Sequence, residues 1–139
     1  MSSLPDGDYF IINRALGYTG AKLAITFNGV NQYAAVEPLA SPPIQTQIWT
    51  IKVSRDKKTF SVTPKGASTD EAGWGSQGSV RVLPAGGYVW SFQDNGDGII
   101  IQDGGLTVYW FVGQAEPGQR VQIGDDKGQP GHRWVLEKA

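Results

Sequence analysis

Three tryptophans at nearly even spacing constrain this chain more than any other feature. They stand in "QIWTI", "YVWSF" and "HRWVL" as Trp49, Trp90 and Trp134, separated by 41 and 44 residues. Two residues after each comes another apolar side chain, Ile51, Phe92 or Leu136. That is the alternation of a strand with one buried face. Self-similarity at a period of about 40 residues marks a repeat architecture.

The segments around the tryptophans are short and apolar. "YFIIN" (9–13), "KLAITF" (22–27), "TFSVTP" (59–64), "SVRVLP" (79–84), "GIIIQD" (98–103) and "TVYWFV" (107–112) alternate with turn signals such as "SRDKK", "PAGG", "DNGDG" and "GDDKGQPG". No segment sustains a helical period, and the whole chain reads as roughly twelve strands, four per tryptophan. Three such units are too few to close a propeller. They suit a β-trefoil, a six-stranded barrel capped by three hairpins. The expectation is therefore one all-β domain over 1–139, a β-trefoil of three pseudo-symmetric four-strand repeats at about 7–53, 54–94 and 95–139. Each repeat opens on an apolar strand: Phe10 to Ile12, Phe60 to Val62, Ile99 to Ile101. The chain has no cysteine, so barrel closure is what must protect the strand edges.

Charge narrows the partners. Formal net charge is -1 with Lys and Arg scattered, whereas a nucleic-acid backbone calls for a basic patch. The apolar runs are too short to span a membrane. The opening "MSSLPDGDYF" has neither a basic nor an apolar region of the signal-peptide kind. Expected are a cytoplasmic protein, no nucleic acid, no membrane insertion, and a monomer or weak dimer.

In a threefold fold, residues that obey the repeat are core and residues that break it are candidates for function. Gln47 and His132 stand two before their tryptophans, where either could hydrogen-bond a backbone group and hold the strand end. His132 is the sole histidine, and without a Ser or Cys nucleophile motif it reads as structural. The second repeat places Tyr88 in that slot. It also carries Trp74 in "GWGSQGSV", with Gly73 and Gly75 beside it and Gly86 and Gly87 just before Tyr88. Small residues beside aromatics leave ring faces uncovered for the C–H face of a sugar, and glycine lets a ligand approach the main chain. The plain alternative is that Trp74 fills the hairpin cap. Trp110 reads mainly as packing.

No motif recommends an enzyme. "DNGDG" lacks the ligand spacing of a calcium loop. Asp70 and Glu71 have no second carboxylate placed to make an acid/base pair, and no phosphate-binding glycine motif occurs. No catalytic residue, metal or cofactor is expected.

With these residues in place, the chain resembles the small ricin-B-like β-trefoil lectins of mushroom fruiting bodies. It is closest to the inky-cap members that recognise the α1,3-fucosylated chitobiose core of N-glycans. The blocks "YFIINRALGYTGAKLAIT", "GWGSQGSVRVLPAGGYVW", "IQDGGLTVYW" and "GHRWVLEKA" carry the likeness. It implies a sugar site of Trp74, Leu83, Gly86, Gly87, Tyr88, Val89 and Trp90. The implied partners are glycans and glycoproteins bearing fucosylated N-acetylglucosamine, and the implied role is defence against invertebrate feeders. The family carries asparagines where this chain has Gly86 and Gly87, and a tyrosine where it has Val53. A different reading is a β-trefoil cysteine-protease inhibitor. It rests on a similar "DGxYxI" opening and would act through the loop "EPLASPPIQT" or "KGASTDEAG".

Overall fold

Alternation at the tryptophan strands decides which side chains fill the interior. The computed structural model describes residues 4–139; residues 1–3, the start of "MSSLPDGDYF", lie outside the described residues. The strands are β1 (Gly7–Asn13), β2 (Leu23–Thr26), β3 (Ala35–Pro38), β4 (Trp49–Val53), β5 (Phe60–Pro64) and β6 (Asp70–Trp74), followed by β7 (Val80–Pro84), β8 (Trp90–Asp94), β9 (Ile99–Asp103), β10 (Tyr109–Phe111), β11 (Gln122–Gly124) and β12 (Trp134–Lys138). Antiparallel pairing runs β1–β4–β5–β8–β9–β12 and returns to β1, which closes a six-stranded ring. The other six strands form the hairpins β2–β3, β6–β7 and β10–β11. A closed ring with three hairpins is the all-β arrangement of a β-trefoil.

Each ring strand sends alternate residues inward: Trp49 and Ile51, Phe60 and Val62, Trp90 and Phe92, Ile99 and Ile101, Trp134 and Leu136. In β1 the inward pair is Tyr9 and Ile11. Phe10 and Ile12 turn outward into a smaller cluster with Ala24, Leu39 and Ile48. The opening strand is thus one residue out of step with the apparent repeat. Four consecutive apolar residues leave no alternation to select a face, so the pairing of Tyr9 with Trp49 fixes the register.

The three barrel indoles satisfy their N–H groups in one pattern, whereas the buried Trp110 N–H has no partner among the described residues. Trp49 donates to the Ile25 carbonyl at 2.9 Å, Trp90 to Ala72 at 2.8 Å and Trp134 to Trp110 at 3.0 Å. Trp110 is itself packed edge-on against Trp90, with ring centroids 4.8 Å apart. The hairpins are tied together by a cycle of backbone bonds: Ala34 N–H to Val80 at 3.0 Å, Val80 N–H to Val121 at 2.8 Å and Val121 N–H to Ala34 at 2.9 Å. No helix among the described residues is long and apolar enough to cross a membrane.

Candidate functional site

The indole bonds make Ile25, Ala72 and Trp110 equivalent, so Thr26, Gly73 and Phe111 after them are equivalent too. Each of these meets the residue two before a barrel tryptophan. Gln47, 1% exposed, donates to Thr26 Oγ1 and to the Pro38 carbonyl and accepts the Ala40 N–H. His132 stacks on Phe111 at 4.7 Å between centroids, 4° from parallel. Neither of its ring nitrogens has a partner among the described residues. The expected backbone clamp therefore exists at Gln47, whereas at His132 the Asp125 main chain approaches without making a full hydrogen bond and stacking on Phe111 holds the ring. Burial among apolar atoms pushes the imidazole pKa below its ordinary 6.5.

Tyr88 completes the set with a glycine. A methyl group at Gly73 would stand 3.0 Å from Leu83 Cδ1 and 3.1 Å from Tyr88 Cδ2. Leu83 and the half-buried Tyr88 ring therefore occupy the space a side chain would have taken at Gly73. Where Gln47 and His132 disappear into the fold, Tyr88 keeps part of its surface in solvent.

The loop before Trp90 departs from the other two. Single turns of 3₁₀ helix, Gln45–Gln47 and Pro130–His132, precede Trp49 and Trp134. These turns accept backbone N–H groups from Phe27 and Val112, at Thr46 (2.8 Å) and Gly131 (3.0 Å). Before Trp90 a carboxylate replaces that turn. Glu71 Oε1 accepts the N–H groups of Gly86 at 3.1 Å, Gly87 at 3.1 Å and Tyr88 at 3.2 Å. Consecutive N–H groups converging on one oxygen form an anion nest, and the φ of +85° at Gly87 is a conformation glycine adopts without strain. These donors are thus spoken for within the fold. Sequence reasoning missed Glu71 because it looked for a second carboxylate. The sequence shows the Gly86–Gly87 turn and an acidic residue 15 positions earlier, but only the β6–β7 pairing brings them together.

The remaining candidates are spread around the hairpin. Trp74 stands two residues after Ala72, the position of Phe27 and Val112 in the other thirds of the chain. Phe27 packs edge-on to Trp49 at 6.4 Å and Val112 is 3% exposed, whereas Trp74 is 48% exposed. Filling the cap accounts for an apolar residue there but not for its exposure. Alternation directs Trp74 to the Ala72 side of β6, opposite Gly73, Leu83 and Tyr88. Val89 packs toward Gly104, where an added methyl would meet its Cγ2 at 3.1 Å. Trp90 is 2% exposed with its N–H committed, so its ring is core and offers no face to a ligand. The structure thus gathers Leu83, Gly86, Gly87 and Tyr88 around Gly73 and Glu71, with Trp74 on the same hairpin. It does not bring Val89 and Trp90 to that face. Among the described residues no three His, Cys, Asp or Glu side chains lie close enough to hold a metal.

Solved structures share this fold. The Rhizoctonia solani agglutinin superposes with a TM-score of 0.76 at 18% identity, over 100% of this chain and 99% of that one. A mosquitocidal holotoxin gives 0.81 at 16% identity, over 98% of this chain, which spans 18% of that protein. The Polyporus squamosus lectin, solved with the human-type influenza-binding epitope Neu5Acα2-6Galβ1-4GlcNAc, gives 0.72 at 14% identity; 99% of this chain matches 50% of that one. At such identities the likeness shows the fold alone. No curated protein sequence matches the chain. The profile of the CCL2 lectin-like family matches residues 7–134. The chain belongs to the CCL2-like family of β-trefoil lectins.

Proposed function

We propose that this carbohydrate-binding lectin recognises fucosylated N-acetylglucosamine, with the α1,3-fucosylated chitobiose core of N-glycans as its preferred ligand, and that it performs no catalysis. The observation that carries the proposal is the break at Tyr88. Of the three residues in its slot Gln47 and His132 are buried and Tyr88 alone is partly exposed, beside Leu83 and a loop pinned by Glu71. In this reading, which takes the chain as three four-strand units with the second specialised, Tyr88 supplies a ring face for one N-acetylglucosamine, and the exposed Trp74, at the end of β6 and on its other side, meets the second only where the ligand passes round the edge of the hairpin. Leu83 meets the fucose methyl group, and Glu71 with the loop carbonyls accepts hydroxyls. Val89 and Trp90 support the loop from behind. So shallow a surface suits micromolar binding, about -8 kcal/mol, strengthened by multivalency on a glycan-coated surface. A role against invertebrate feeders follows from the resemblance to the mushroom lectins and not from the fold neighbours.

A glycan array tests the proposal. Wild type should bind core-fucosylated N-glycans, and Tyr88→Ala and Trp74→Ala should lose binding with unchanged far-UV spectra. Array silence combined with inhibition of papain would favour the inhibitor reading. Its loop 41–46 is exposed and presents Ile44 at 46% exposure.

A further inference from the structure

The cycle of backbone bonds through Ala34, Val80 and Val121 fixes three neighbouring side chains where the hairpins meet: Tyr33, Arg81 and Arg120. Tyr33 is bridged to Arg81 and Ala35 to Arg120 in antiparallel register. The Arg120 guanidinium carbon lies 3.9 Å from the Tyr33 ring centroid and that of Arg81 lies 5.1 Å from it. Both distances are in the cation–π range. The two charges are therefore held within about 9 Å of one another, near one screening length. Arg81 is pinned further by its Nε–H bond to the Asn31 carbonyl.

Neither arginine is neutralised. The ion pairs among the described residues involve Lys22, Lys65 and Arg133, not Arg81 or Arg120. Glu37, whose carboxylate lies near Gly118, makes no ion pair with Arg120. The phenol registers the field. The Ser76 hydroxyl 3.5 Å away and then the two guanidiniums hold the Tyr33 pKa below its usual value. A fixed pair of like charges around an aromatic ring, in a protein of net charge -1, is a small positive focus. It is too small for a nucleic-acid backbone and sized for one oxyanion.

We infer that Tyr33, Arg81 and Arg120 form a second binding site, separate from the Tyr88 loop, for a sulfate or carboxylate group carried on a sugar. The guanidiniums take the anion and the edge of Tyr33 packs against the sugar ring. The site uses none of the residues of the proposed fucose site, so either can fail without the other.

The test titrates a sulfated disaccharide, its unsulfated counterpart and sodium sulfate into ¹⁵N-labelled protein. The sulfated disaccharide should shift the Arg81 and Arg120 side-chain signals and weaken as salt rises. Its affinity should drop by about tenfold or more in Arg120→Gln, an exposed position whose backbone spectrum should stay native, and should be unchanged in Tyr88→Ala. Absence of any shift with the sulfated disaccharide overturns the proposal. So does equal binding of the unsulfated sugar, or wild-type affinity in both Arg120→Gln and Arg81→Gln. Sodium sulfate binding as tightly as the sulfated disaccharide overturns the assignment to a sugar-borne anion.

Discussion

Removing the Glu71 carboxylate should loosen one loop and leave the barrel intact. Its Oε1 holds three consecutive N–H groups at 3.1 to 3.2 Å. Hydrogen bonds to a charged group contribute about 1.5–3 kcal/mol each. Here three long bonds share one oxygen on a half-exposed side chain, so their sum is discounted to about 2 kcal/mol. The loop is bounded by Pro84 at the end of β7 and by Trp90, whose indole bond to Ala72 does not depend on Glu71. The loss should thus appear as local opening and not as global unfolding. In Glu71→Ala, hydrogen-exchange protection of the Gly86, Gly87 and Tyr88 amides should fall about 30-fold, with little change in the urea midpoint. Glycan affinity should fall by up to the same factor, because binding must then order the loop. Glu71→Gln keeps a neutral acceptor of roughly half the strength, so its losses should be near fivefold. Unchanged protection of all three amides in Glu71→Ala would refute the energetic reasoning. Lost protection with wild-type glycan affinity would remove the loop from the binding site.

Other substitutions separate packing from recognition. Gly73→Ala places a methyl against Leu83 Cδ1 and the Tyr88 ring; it should destabilise by about 1–2 kcal/mol and weaken glycan binding by displacing Tyr88, as measured by urea melts and calorimetry. Trp49→Ala should cost about 3–5 kcal/mol of stability in the same melts, whereas Trp74→Ala, at a position 48% exposed, should stay within about 1 kcal/mol of wild type. His132 supplies the pH dependence near neutrality. Burial lowers its folded pKa below 6.5, so the unfolded chain binds more protons below that value. Its stabilisation is complete above pH 6.5 and declines as pH falls toward the folded pKa. His132→Gln should flatten the urea midpoint across that window. A second decline should begin only below 3.8, where Asp8, Asp97 and Asp126 are held low by their hydrogen bonds to Lys65, Asn95 and Arg133, and continue toward the Asp56 value of about 2 set by the Lys58 and Thr59 N–H groups.

What was legible in the sequence, and what was not, follows from the range of each interaction. Trp49, Trp90 and Trp134 announce the fold because each does two things at once, filling the barrel and bonding a hairpin carbonyl. A side chain so constrained leaves a spacing that can be read without coordinates. The face of β1 could not be read, since Tyr9 to Ile12 are all apolar and only cross-strand pairing distinguishes inward from outward. The odd residue at Tyr88 was visible as a departure from Gln47 and His132. Its meaning lay in Gly73, a partner on another strand that contributes by having no side chain. Trp90 shows the limit of resemblance. Its spacing marks it as core, and its burial with a committed N–H agrees with the spacing. Glu71 was the least legible of all, because its partners are main-chain N–H groups that nearly every residue possesses. A site built from a missing side chain and an occupied backbone nest leaves almost no signature in residue types. Its position still follows from symmetry: two thirds of the chain close the tryptophan slot with a 3₁₀ turn and one closes it with a carboxylate, so the exception marks the loop whose geometry packing alone does not dictate.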